Sequence, residues 1–225
     1  MAQKIGFRIK ERIERPETAV IDALRCFETP AISDGLNRFN TMDPGIKPIL
    51  PPCRIAGPAV TLRLRPADNL MLHKVLGLVQ PGDVLVIDTC GCPNYAVLGE
   101  LIATAAFRAG LNGIVVDGGI RDVDQLRKKG FPIFARYVVP SVGDKEGPGE
   151  INYPICCGGV PVHPGDIIVG DDNGVVVVPP SDAEQIIRGA AQKRAYEEKR
   201  MEDILAGVIV KPEIDDQLRR RGVIE

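Results

Sequence analysis

Glu100 and the pair Arg121-Asp122 are separated by twenty residues in GELIATAAFRAGLNGIVVDGGIRD (99–122). An acid placed at the start of a helix lies beside free backbone N–H groups, which favour an anionic ligand. Arg121 at a strand end can fork onto a carboxylate or stabilise an oxyanion. Asp122 can hold a hard divalent cation through oxygen while water fills the other positions, and Glu100 can orient such a water. Taken one at a time, these residues have plainer roles: an Arg-Asp pair on a turn forms a salt-bridged cap, and Gly118-Gly119 makes a turn. Together they suit a small anionic oxo acid held with a Mg2+-type ion.

The elements that must position them follow from hydrophobic periodicity. ETAVIDALRCF (17–27) has helical spacing, Thr29-Pro30 breaks it, and AISDGLNRF starts a second short helix. Residues 41–56 read as an extended loop. GPAVTLRLR (57–65) is a strand, 69–79 a helix, and DVLVID (83–88) a strand buried on both faces. A loop at 88–96 leads to a helix over 97–109, which Gly110 ends. GIVVD (113–117) is a strand with GGIRD as its exit turn, VDQLRKK (123–129) a helix, and FPIFARYVV (131–139) a strand. This order predicts a mainly parallel α/β sheet with flanking helices. Residues 140–160 read as loop with strand fragments. The next stretch alternates strand and turn, with DDNG as a hairpin signal. Ser181-Asp182 is placed to cap a long helix from Ala183 to about Leu205.

Ligands in such sheets sit at the carboxyl ends of the parallel strands. Three loops leave those ends, at 88–99, 117–122 and 140–150. The second brings Gly118-Gly119, expected to let backbone approach a ligand, and the third brings Lys145 and Glu146. Other candidates read as structural. His73 is expected to pack on an amphipathic helix, and His163 before Pro164-Gly165 belongs to a turn. Asp171-Asp172 is a hairpin turn, and Glu197-Glu198 forms i,i+4 pairs in a charged helix.

Composition narrows the function classes. The 225 residues predict one α/β domain, with an N-terminal helical arm (about 1–40) and a C-terminal helix and tail (about 181–225). A net charge of -2 gives no reason to expect nucleic-acid binding. No apolar run is long enough to cross a bilayer. The charged N-terminus lacks the apolar core of a signal peptide, so a cytoplasmic protein is expected. Six cysteines spaced as C-x-C and C-C, with only two histidines, fit neither a disulfide framework nor a zinc site.

The chain resembles the RraA-like family, in its 4-hydroxy-4-methyl-2-oxoglutarate / 4-carboxy-4-hydroxy-2-oxoadipate aldolase branch. GPAVTL, PGDVLVID, the 99–122 segment, the loop around Lys145 and HPGDIIVGDDNGVVVVP carry the resemblance, which runs from about Ile32 to about Gly207. It implies a swivelling β/β/α domain with a mostly parallel central sheet, assembled as trimers or hexamers with sites between subunits. It implies divalent-metal-dependent retro-aldol cleavage yielding pyruvate, with Mg2+ or Mn2+ as cofactor and oxaloacetate decarboxylation as a related activity. By resemblance, Asp122 binds the metal, Arg121 stabilises the pyruvate enolate, and Glu100 orders metal-bound water. The backbone of Gly99, Glu100, Leu101 and Ile102 takes the substrate carboxylate, and Lys145 is a basic residue near the site. Glu197 or Glu198 is an acid given to a neighbouring subunit's site.

The chain departs from the branch in carrying Glu100 where Asp is usual, which moves the carboxylate by more than an ångström. Cys90 and Cys92 in the preceding loop are expected to shape the pocket. The alternative function is a non-catalytic regulator that binds and inhibits an endoribonuclease; by resemblance those regulators carry Gly at the position of Glu100. A quinone methyltransferase reading fails because GPAVTLRLRPAD contains no nucleotide-binding glycine loop.

Overall fold

The computed structural model describes residues 4–225. Strand β1 (Phe7–Ile9) and helices α1 (Thr18–Arg25) and α2 (Thr29–Gly35) come first, so the arm expected to be helical opens with a strand. Then follow β2 (Lys47–Pro48), β3 (Ile55–Leu64), α3 (Leu70–Val75), β4 (Val84–Leu98), α4 (Glu100–Arg108), β5 (Gly113–Ile120), α5 (Val123–Lys129) and β6 (Ile133–Val138). The second half holds β7 (Gly149–Ile151), β8 (Ile155–Cys157), β9 (Val160–Val162), β10 (Ile167–Asp171), β11 (Gly174–Val178), α6 (Ala183–Leu205) and α7 (Pro212–Arg220).

The main sheet runs β1-β7-β3-β4-β5-β6-β2, and its centre, β3-β4-β5-β6, is parallel. β3 is shared. Its residues 55–58 pair antiparallel with β10, and its residues 62–64 pair antiparallel with β7. The DDNG signal forms the predicted hairpin, with Asp171 opposite Gly174 between β10 and β11.

Alternation along the strands builds three apolar layers. Leu85 and Ile87 of β4 join Ile114 and Val116 of β5 under α3, α4 and α5. Val84, Val86, Val115 and Phe134 point the other way, against β8, β9 and one face of β10–β11. The far face of that hairpin, Ile167, Val169, Val176 and Val178, packs on α1, α2 and α6. Central strands between two apolar layers must be hydrophobic at every position, which is why 84–87 shows no polar alternation. No described helix is long and apolar enough to cross a membrane.

Three expectations shift for local reasons. The helix expected over 69–79 is confined to α3, six residues long. The helix expected from Val97 starts at Glu100, because Leu98 is still paired with Ile120. Ser181 and Asp182 do not cap α6; Pro180–Asp182 forms a 3-10 turn, and the Ser181 hydroxyl bonds the Asp182 carboxylate at 3.0 Å.

Phe134 is fully buried where β6 meets the second β layer. Phe134→Ala is expected to lower the unfolding free energy by about 3–5 kcal/mol. Urea denaturation reads this directly, and a loss below about 1 kcal/mol would contradict the layer assignment.

Candidate active site

The three loops converge as expected, and backbone hydrogen bonds stitch them together. The Arg121 amide donates to Leu98 O at 3.0 Å, the Val139 amide to Ile120 O at 2.9 Å, and the Ala96 amide to Ser141 O at 2.7 Å. The approach to α4 is unusual. The ten steps along β4 from Asp88 to Leu98 run beside only three steps of β5, from Asp117 to Ile120. The chain therefore buckles out as a large bulge and returns to the sheet just before Gly99. The segment expected as a loop is this bulge, held within the ladder.

Gly118 and Gly119 serve the bulge instead of a ligand. Both are buried in β5. A side chain at Gly118 would overlap the Thr89 hydroxyl, and one at Gly119 would press on Tyr95 O. These glycines let a buckled strand lie close to its neighbour.

Asp122 occupies the left-handed region, with φ 59° and ψ 36°. Asp adopts this conformation more readily than most residues. It turns the carboxylate back across the sheet end, where Oδ2 accepts the Glu100 N–H at 3.0 Å. Arg121 Nε lies 3.7 Å from the same oxygen. A β-carbon at Gly99 would overlap this carboxylate, so the position admits glycine alone. Helix geometry leaves the Leu101 and Ile102 amides without intrahelical acceptors, facing the space beside Arg121. Leu101 is 85% exposed, so its amide and not its side chain serves the site.

These groups line a cleft of about 540 Å³. Gly99, Glu100, Leu101, Ile102, Arg121, Asp122 and Lys145, the residues singled out in the sequence apart from Glu197, are brought together in its wall. Glu100 extends toward α5, with its carboxylate 3.5 Å from Lys129 Nζ. Glu146 is not in the wall; its amide bonds Asp68 Oδ2. Cys90 and Cys92 are also outside it: Cys90 sits in the bulge beside Asp88 and Cys92 pairs with Gly118, so neither shapes this cleft. Glu197 lies on α6, paired with Lys193 at 3.4 Å, and Lys193 reaches Asp34 at 3.1 Å. Glu197 is absent from the wall of its own chain's cleft.

Asn69, His73 and Gln125 also line the cleft; Asn69 and Gln125 carry no mark in the sequence, and His73 reads there as a packing residue. His73 was expected to pack. On α3 it is Leu72 and Val75 that turn inward, while His73 is exposed toward the cleft. Partial burial, and then the charge of Lys145, hold its pKa below the ordinary histidine value. Asn69 precedes α3 and is buried against Val97 O, so no helical spacing links it to His73 in the sequence.

The donor set can be compared with a metal ion. Among the described residues, no cluster of three or more His, Cys, Asp or Glu could cage one. Asp122 offers one carboxylate oxygen that accepts no hydrogen bond from the described residues, and Glu100, whose carboxylate faces Lys129, is in the same wall. One or two carboxylates with several retained waters is how Mg2+ is commonly bound, so these residues fit such an ion. They do not form a structural zinc site, which takes four protein ligands, mostly Cys and His.

Comparison with known proteins agrees with the fold. The family model described as RraA-like (Aldolase/RraA) matches residues 29–177. A Halalkalibacterium halodurans protein named "Putative 4-hydroxy-4-methyl-2-oxoglutarate aldolase" is 39% identical over 188 residues, covering 84% of this chain and 90% of that protein. The Thermus thermophilus protein named 4-hydroxy-4-methyl-2-oxoglutarate aldolase is 36% identical over 126 residues, 56% of this chain and 76% of that one. The crystal structure of Streptomyces coelicolor RraAS2 is described as an unusual member of the RNase ES inhibitor RraA protein family. It superposes with a TM-score of 0.77 at 32% identity, covering 84% of this chain and 99% of that one. An α/β chain with a helix start, an arginine and an aspartate gathered at one sheet end thus belongs to the RraA-like family.

Gly99→Ala tests the geometry. The added methyl must displace the Asp122 carboxylate from the Glu100 amide. Circular dichroism is expected to stay native while the unfolding free energy, read by urea denaturation, falls by about 1–3 kcal/mol; unchanged stability would refute the contact.

Proposed function

We propose that the chain is a metal-dependent pyruvate aldolase, a carbon–carbon lyase acting on 4-hydroxy-2-oxo di- or tricarboxylic acids such as 4-hydroxy-4-methyl-2-oxoglutarate. One observation carries the reading: the free amides of α4, Arg121 and Asp122 meet in a single cleft, joined by the Asp122–Glu100 hydrogen bond. The names of the aldolase relatives support it.

In this reading the Leu101 and Ile102 amides bind the C1 carboxylate at the positive end of α4. Arg121 points its guanidinium at the 2-oxo oxygen. When the C3–C4 bond breaks, the C4 hydroxyl loses its proton and becomes a carbonyl. The electron pair moves onto C3 and is delocalised onto the 2-oxo oxygen as an enolate, and C3 then takes up a proton to give pyruvate. Arg121 is already in place as that charge develops, a preorganised interaction worth about 10²–10³ in rate. A Mg2+ or Mn2+ ion held by Asp122 would supply Lewis acidity to the same oxygens. Glu100, steadied by Lys129, orders the water that takes the hydroxyl proton. Loss of CO2 from oxaloacetate generates the same enolate, so decarboxylation of that acid belongs to the same proposal.

The assembly is proposed to be a homotrimer or homohexamer. Leu101 and Val138, 85% and 61% exposed, form an apolar rim beside the cleft that suits contact between copies. Glu197 lies outside its own cleft, so a part in catalysis requires delivery to a neighbouring copy.

The Streptomyces relative supports a second reading, a regulator that binds an endoribonuclease. Pyruvate release separates the two. Release from 4-hydroxy-4-methyl-2-oxoglutarate with Mg2+, abolished by EDTA, is the expected result. Arg121→Ala and Asp122→Ala are each expected to lower kcat/KM by at least about a hundredfold with the oligomer intact. Full activity in either variant, or in EDTA, would exclude this mechanism. No release, together with capture of an endoribonuclease, would favour the regulator.

A further inference from the structure

The cleft has two poles. One is the α4 start with Arg121 and Asp122. The other is formed by Asn69 and His73 of the α3 region with Lys145 of the facing loop. We propose that this second pole is a carboxylate subsite, in which Lys145 and His73 grip the distal carboxylate of a dianionic oxo acid. The inference rests on the lyase reading for the role of the first pole.

The loop bearing Lys145 is held firmly. Asp68 is buried, and its Oδ2 accepts the Glu146 and Gly147 amides at 2.8 Å each. The Asn69 amide donates to Asp144 O at 3.0 Å, and the Asp144 amide to Ala67 O at 2.7 Å. Asn69 Nδ2 donates to Val97 O at 3.0 Å, fixing α3 to the segment that leads into α4. Residues 67–69 therefore set the spacing between the two poles. Asn69 is a positioning residue, and its buried Oδ1 has no donor among the described residues.

Charge favours an anion there. Among the described residues Lys145 makes no ion pair. Three nearby acids are committed elsewhere: Asp68 is enclosed by amides and lies 3.5 Å from Arg65, Asp144 lies 3.9 Å from Arg65, and Glu100 faces Lys129. Glu146, beside Lys145 in the chain, lies outside the cleft wall. Arg121 and Asp122 belong to the other pole, and Lys74 follows His73 on α3. His73, kept mainly neutral beside Lys145, has an N–H to donate without adding a second cation. An ammonium with a neutral imidazole suits a carboxylate, and a carboxylate at one end with a 2-oxo acid at the other describes a dicarboxylate. A monoanionic 4-hydroxy-2-oxo acid leaves this pole unfilled.

The test is discrimination. For the wild type and for His73→Leu, kcat/KM is measured on 4-hydroxy-4-methyl-2-oxoglutarate and on the monoanionic 4-hydroxy-2-oxopentanoate. The ratio is expected to fall at least about tenfold in the variant, the scale of a hydrogen bond to a charged group. A ratio within twofold of wild type overturns the subsite. Binding supplies a readout independent of turnover and of the variant's folding. The chain has two histidines, so the imidazole signals of wild-type protein are assigned with His163→Gln. Titration at fixed pH with 2-oxoglutarate is expected to shift the His73 signal well beyond the shift with pyruvate; equal shifts overturn the proposal. A 2-oxoglutarate-specific shift without lyase activity would sink the lyase reading and keep the subsite. Lyase activity without that shift would do the reverse.

Discussion

One hydrogen bond organises the functional end of the molecule: Asp122 Oδ2 accepting the Glu100 N–H. It joins the exit of β5 to the start of α4, twenty-two residues earlier in the chain. Gly99 is glycine because a side chain would collide with that carboxylate. Asp122 is in the left-handed region because only that turn sends its side chain back toward α4. Arg121, next to it, inherits its direction from the same turn. The bond uses one carboxylate oxygen and the first helix amide, leaving the other oxygen and the next two amides for a ligand.

Asp171 repeats the device. Its carboxylate accepts the Thr29 amide at 2.8 Å and the Thr29 hydroxyl at 2.6 Å, so a hairpin turn holds the start of α2. Burial alone would raise the Asp171 pKa, but the bonds from Thr29 and Asn173 together hold it below the usual carboxylate value. Asp117 does related work on the second β layer. It takes the Gly158 amide at 2.7 Å and Arg136 Nε at 2.5 Å, and Arg136 also reaches Asp43 at 3.0 Å. In each case an aspartate carboxylate ties a strand to a segment outside its own ladder, α4 for Asp122, α2 for Asp171 and the β8–β9 turn for Asp117.

Much of this was legible in the sequence because it is local. Apolar runs such as 84–87 and 113–117 mark doubly buried strands, and the spacing of Glu100, Arg121 and Asp122 marks two adjacent strand-to-helix turns. The bulge at 89–96 was read as a plain loop because its pairing partners, Gly118 and Gly119, lie far along the chain and have no side chains to signal contact. His73 was misread for a similar reason. Its spacing fits an amphipathic helix, and only the facing loop with Lys145 makes that face a cleft wall. β1 escaped notice because a three-residue edge strand has no periodicity, and its partner β7 is distant in sequence.

The apolar layer beneath α1 and α2 joins the two ends of the chain. Ile21, Leu24, Phe27 and Ile32 are buried against residues of β10, β11 and α6. About 135 residues separate Ile32 from Ile167, where that partner begins. At ribosomal rates of about 5–20 residues per second, the partner emerges roughly 7–27 seconds after the N-terminal helices. Throughout that interval four large apolar side chains lack most of their native cover, with only one another and Ala56 of β3 available from that layer. This part of the fold is therefore exposed to aggregation and chaperone capture until the later hairpin emerges to meet it.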